Sequence, residues 1–161
     1  MKSRPGIDRN RSRAPHWRTG LLAAALLLPC IASATLGQPE ASVRADATQL
    51  KGSIQATDLA NYRVHEIQLP SGTVREFVSL DGHVFAIAWS GRSMPNLRQA
   101  LGEYFDPYVA ALQVTRSDHR HVRVELDNLV VQSTGHMRGT FAGRAYLPQA
   151  IPAGVSLGDL N

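Results

Sequence analysis

The sequence predicts an α+β fold, a single domain built on one antiparallel β-sheet with one main amphipathic helix packed on a face. Three observations predict it. Between Tyr62 and Trp89, period-two apolar segments are separated by tight-turn residues, which reads as a three-stranded meander. Leu97, Ala100, Leu101, Tyr104 and Phe105 form one helical stripe. More strand-like segments follow the helix, so the order is strands, helix, strands, without the alternating βα units of a doubly wound fold.

Taken in order, residues 35–60 are the least committed segment. Within it Val43, Ala47 and Leu50 recur at helical spacing, predicting a short helix over 42–50 that Gly52 stops. Tyr62 to Leu69 is rich in β-branched and aromatic side chains, Pro70-Ser71-Gly72 is turn chemistry, and Thr73 to Leu80 is a second strand. Asp81-Gly82 predicts a two-residue type I′ hairpin turn, because both residues tolerate positive φ. His83 to Trp89 is apolar on both faces, the pattern of a central strand covered on two sides. Ser93 is the expected cap and Pro95 the first turn of the main helix. Asp106-Pro107 is expected to interrupt that helix and to restart a turn through Leu112. Val122 to Leu126, Leu129 to Ser133 and Arg138 to Leu147 read as the C-terminal strands, and residues 149–161 as an extended tail.

Residues 1–34 have the order of a secretory signal peptide. Lys2, Arg4, Arg9, Arg11, Arg13 and Arg18 precede an apolar run from Leu21 to Ile31, which closes on Ala32-Ser33-Ala34. The run is too short for a spanning helix, which needs roughly 20 residues to cross about 30 Å of hydrocarbon. No two arginines are adjacent, so the general secretory route is expected rather than twin-arginine export, with cleavage after Ala34. Pro29 stands where lipidation of Cys30 calls for a small residue, so no lipid anchor is expected. The mature chain, 35–161, is then expected as a single periplasmic or secreted domain of a Gram-negative bacterium, without a stable membrane span.

Composition supports this organisation. The chain has 161 residues, 43% hydrophobic and 19% charged, with a formal charge of +4 and a single cysteine. That excludes a multidomain enzyme, a collagen and a disulfide knot. Six of the 17 basic side chains precede residue 35, against Asp8 alone; eleven then face the remaining twelve acidic ones. The mature part is nearly neutral, so nucleic-acid binding is not expected. Cleavage also removes Cys30, which excludes disulfides, thiol catalysis and thiolate metal sites from the mature domain.

Three stretches carry a family resemblance: residues 62–78, from Tyr62-Arg63-Val64-His65-Glu66 through Pro70-Ser71-Gly72 to Val78; residues 97–105, Leu97-Arg98-Gln99-Ala100-Leu101-Gly102-Glu103-Tyr104-Phe105; and Gly135-His136-Met137-Arg138 with Gly143-Arg144-Ala145-Tyr146-Leu147-Pro148. Together they resemble a family of short exported proteobacterial proteins known as domain of unknown function 2844. The resemblance implies a signal peptide and supplies no activity, catalytic residue or ligand.

Candidate sites come from the residues themselves. His65, Glu66 and His136 are the candidates for acid–base or zinc chemistry, with Glu76 as a further carboxylate. Neighbours in a strand point to opposite faces, however, so His65 and Glu66 are not expected to share one site, and no H-E-x-x-H motif is present. His119 and His121 face one side of an extended backbone within a polar segment that also holds Arg116, Arg120 and Arg123. Ser71 and Ser133 sit in turns that lack the G-x-S-x-G elbow. Arg75 and Glu76 on the second strand, together with Arg138 and Arg144 on the last, are expected to supply cross-strand ion pairs, while Arg138, Arg144 and Tyr146 are the candidate residues for binding an anion. Trp89, Tyr104, Phe105 and Tyr108 read as core. No GxGxxG, P-loop or haem-attachment motif occurs, so no cofactor and no metal is expected. The leading expectation is a non-enzymatic exported accessory or binding protein that acts through contacts with another exported protein. The alternatives are a small metal-dependent or His/carboxylate hydrolase, and a small-molecule or anion binder.

Overall fold

Period-two patterning and tight turns carry most of the chain into one antiparallel sheet. A computed structural model describes residues 36–49, 52–114, 121–136 and 139–161. The strands are β1 (Ser53–Asp58), β2 (Tyr62–Leu69), β3 (Gly72–Ser79), β4 (Val84–Gly91), β5 (His121–Leu126), β6 (Leu129–His136) and β7 (Thr140–Tyr146); the helices are α1 (Ala41–Gln49), α2 (Leu97–Leu101) and α3 (Phe105–Val114). The sheet order is β1-β2-β3-β4-β7-β6-β5, so two meanders meet where β4 pairs with β7. The α+β class and the N-terminal meander are as the sequence predicts.

β4 is the middle strand, and Val84 to Trp89 are buried on both of its faces. On the helical face lie Ile67, Val74, Ile87, Trp89, Ala145, Val131 and Val124, covered by Val43 and Ala47 of α1, Leu101 of α2 and Tyr108 of α3. On the second face Phe77, Phe85, Ala86, Ala88, Val130 and Tyr146 form a smaller core with Leu160. Tyr62, Phe77 and Phe85 make a three-ring cluster there, with centroids 6.0 to 6.3 Å apart. Such tilted and edge-on pairs add attraction beyond the area they bury.

The C-terminal segment departs from expectation. It does not trail as an extended tail: it folds through two short 3₁₀ turns, Pro148–Ala150 and Leu157–Asp159, and places Leu160 fully buried against the second face. Ser156 caps the last turn in a capping box with Asp159. Arg144 donates to the Leu157 carbonyl, Arg75 Nη1 donates to the Asn161 carbonyl at 2.5 Å, and Asn61 donates to that of Ala153 at 3.2 Å. The apolar residues Ile151, Val155 and Leu160 cover what would otherwise be exposed aromatic surface.

Local details also differ from the sequence reading. The β3–β4 loop is not a two-residue turn: Ser79 N donates to His83 O and Gly82 N to Ser79 O, with Gly82 left-handed at φ 84. This is a three-residue loop that uses glycine where only glycine is at ease. Asn96, not Ser93, caps the main helix, accepting from Gln99 N, and Pro95 lies just outside it. The helix breaks at Gly102 (φ 53, ψ −120), not at Asp106-Pro107. Pro107 falls in the first turn of α3, where an N–H has no intrahelical acceptor to lose, so proline fits. β1 is an edge strand within the uncommitted segment 35–60, and all six of its residues are exposed.

Candidate functional site

Direct cross-strand partners share a sheet face, so the register sorts the candidate residues. His65 stands opposite Glu76, and both are buried on the helical face, 4% and 2% exposed. Glu66 stands opposite Arg75 on the second face. His65 and Glu66 therefore lie on opposite sides of the sheet. His136 ends β6 opposite Thr140, and its side chain lies outside the described residues, as do Arg138, Arg116, His119 and Arg120. His121 is exposed at the start of β5, and Ser133 is buried. Arg123, also exposed, pairs with Glu125. Tyr146 is buried in the second-face core rather than offered to a ligand.

His65 belongs to a polar cluster beside α1. Its Nε2 lies 2.7 Å from Glu40 Oε1, which also accepts from Arg63 Nη1 at 2.8 Å; Arg63 in turn pairs with Asp58. The Arg63 hydrogen bond, opposed by burial and aided by His65, holds the Glu40 carboxyl below the usual carboxylate range. A depressed carboxylate contributes stability that is present above its unfolded pKa and is lost as pH falls through the folded value. Melts taken from about pH 6 down to about pH 3 are expected to show the wild type losing its advantage over Glu40→Gln as acid is added below pH 4.5, the ordinary value for this group. A constant difference across that range would remove the linkage. His65 is thus held in place by Glu40, and among the described residues no group of three or more His, Cys, Asp or Glu side chains is placed to hold a metal.

The second face carries a cleft. Along one row of the sheet, Glu66, Arg75, Ala88, Arg144, Gln132 and Arg123 are successive cross-strand neighbours. Arg75 and Arg144 flank the single methyl of Ala88. Since neighbouring strands lie about 4.8 Å apart, the two arginines rise from points roughly 10 Å apart. Between them is a cavity of about 320 Å³, floored by Ala88 and Ala142 and edged by Thr73, Ser90, Gln132 and Thr134.

Each arginine is anchored by one part of its fork. Arg75 Nε donates to Glu66 at 2.7 Å, and Arg144 Nε to Gln132 at 2.8 Å, while both Nη1 groups hold the C-terminal segment. Among the described residues the Nη2 groups carry no further bond. The Arg75 hydrogen bond, helped by Gln68, also holds the Glu66 carboxyl below its ordinary range. Of the ion pairs expected among Arg75, Glu76, Arg138 and Arg144, none joins Glu76 to Arg144: Arg75 pairs with Glu66, and Glu76 faces the other side of the sheet from Arg144. Arg144 was legible as a candidate. Its companion Arg75 was missed as a binding residue, because only the β4–β7 pairing puts the two on either side of Ala88.

A second cavity, of about 210 Å³, lies on the helical face beneath α2. Glu76, Trp89, Gln99 and Asn96 are among its lining residues, as are Ser93, Met94 and Pro95. Thr73, Trp89 and Ser90 line both cavities, so the two sites flank the same stretch of β3 and β4 from opposite faces.

Among the described residues no helix is long and apolar enough to cross a membrane. No curated protein and no solved structure matches the chain. The family described as protein of unknown function (DUF2844) matches residues 32–160, nearly the whole of the chain outside residues 1–31, and the chain belongs to that family.

Proposed function

We propose that this member of the DUF2844 family is an exported accessory protein that recognises carboxylate groups of a partner protein through the cleft between Arg75 and Arg144. The observation that carries the reading is the pair of guanidinium groups on either side of Ala88, over an open cavity of about 320 Å³. A guanidinium anchored through Nε and Nη1 still presents Nη2 donors, and charge-assisted bonds from such donors to carboxylate are roughly twice as strong as neutral ones. The hydroxyls of Thr73, Ser90 and Thr134 and the amide of Gln132 supply orienting contacts without adding charge. Export is supported by the basic start, the apolar run and Ala32-Ser33-Ala34, and the family match begins at residue 32, beside that junction.

The test combines recovery from a Gram-negative host with titration calorimetry. The exported protein is expected to begin at Thr35. At low salt it is expected to bind a hexaglutamate peptide, and Arg144→Gln or Arg75→Gln weakens binding by about tenfold while Arg123→Gln leaves it unchanged. Succinate binding as tightly as the peptide would identify a free dianion as the ligand rather than a partner protein. Absence of binding by either probe, or a well-folded Arg144→Gln protein that binds like wild type, would overturn the anion site. A product retaining residues 1–34 would overturn export.

A further inference from the structure

The cavity beneath α2 combines features that its role as packing does not explain. Its walls are largely apolar, formed by Leu69, Val74, Ile87, Met94 and Pro95, yet Glu76, 2% exposed on the same face of the sheet, is among its lining residues. Trp89, 4% exposed, is also among its lining residues, and Trp89 Nε1 is buried with no acceptor among the described residues. A buried N–H left without an acceptor costs free energy, and a polar occupant of the cavity can supply one. Ser93, Met94 and Pro95 also line it, and Met94 is 41% exposed to solvent.

We infer that this cavity is a second binding site, for a small aliphatic cation that also carries a hydrogen-bond acceptor, such as a short amino-amide. The acceptor takes the Trp89 N–H, the cation faces Glu76, and the carbon chain between them lies against Val74 and Ile87. The volume, about 210 Å³, is below the roughly 300 Å³ at which pockets for drug-sized ligands begin, which favours a small occupant. The site is independent of the second-face cleft: it needs a positive ligand where that cleft needs a negative one.

Trp89 is its own reporter. Of the two tryptophans, Trp17 lies in residues 1–34, so the protein beginning at Thr35, like a full-length Trp17→Phe protein, leaves one indole, that of Trp89. 3-Aminopropanamide is expected to shift its fluorescence saturably in the millimolar range, and propanamide, which lacks the ammonium group, at least about tenfold more weakly. Glu76→Gln is expected to abolish that preference. Ala100→Leu, which fills the cavity from α2 and leaves Glu76 in place, is expected to abolish binding. The inference is overturned if 3-aminopropanamide gives no saturable shift, if propanamide binds equally well, or if a folded Ala100→Leu protein binds like wild type. The first two comparisons use the wild-type cavity and hold even if neither variant folds.

Discussion

Gly143→Val is expected to destabilise the protein by about 3 kcal/mol or more, lowering its melting midpoint by roughly 10 °C. Gly143 lies in β7 directly opposite Trp89, and the indole lies across the place where a side chain would stand. A Cβ there would run into the Trp89 ring and would come to 2.5 Å from the Gln132 carbonyl oxygen. The carbonyl belongs to the adjoining strand, so relief requires the sheet itself to move or the indole to move off β7. Valine adds two methyl groups to that clash. The check is a thermal melt with tryptophan fluorescence of the Trp17→Phe form; an unchanged midpoint would show that the indole does not rest on β7. Gly72 and Gly91 obey the same constraint, since a Cβ on either would collide with a backbone oxygen across the β3–β4 pair.

Phe77→Ala is expected to cost about 3–5 kcal/mol, and Leu160→Ala distinctly less, although both side chains are almost fully buried in one core. Phe77 stands in β3 between two paired strands and contacts Tyr62 and Phe85, so its cavity cannot close without distorting the sheet. Leu160 sits on a segment held by a few hydrogen bonds from Arg75, Arg144 and Asn61. That segment can undock, and its undocking free energy caps the loss. Denaturant melts compare the global effects, and hydrogen exchange of residues 151–161 reports the local one. Equal losses for the two variants would mean that the C-terminal segment unfolds only together with the sheet.

Several elements were legible because their cause is local. The meander from Tyr62 to Gly91 follows from alternation and turn residues, and the doubly apolar run from Val84 to Trp89 marks the central strand before any partner is known. The short helix near Val43 and Ala47 follows from periodicity in the same way, and Gly52 N closes it by donating to Ala47 O at 3.0 Å. β1 escaped because Ser53-Ile54-Gln55-Ala56-Thr57-Asp58 buries nothing: it is a strand only because β2 offers a free edge. The helix break was expected at the proline, whose effect on helices is general. Instead α2 ends after Leu101, because Gly102 takes a positive φ there that a residue with a Cβ rarely adopts.

The sequence by itself determined the α+β class, the strands flanking the main helix and the central place of the Val84–Trp89 segment, because periodicity, turn chemistry and propensity act over a few residues. The reading of residues 1–34 as a leader also rests on the sequence alone. Tertiary structure decided which residues meet. Pairing of β4 with β7, strands far apart in the chain, sets Arg75 and Arg144 on either side of Ala88 and lays Trp89 over Gly143. Register in β2 and β3 puts His65 opposite Glu76 on the helical face, and docking of the C-terminal segment covers the aromatic cluster on the other. These outcomes depend on apolar area buried between distant segments, and no local pattern encodes which distant segment will supply it.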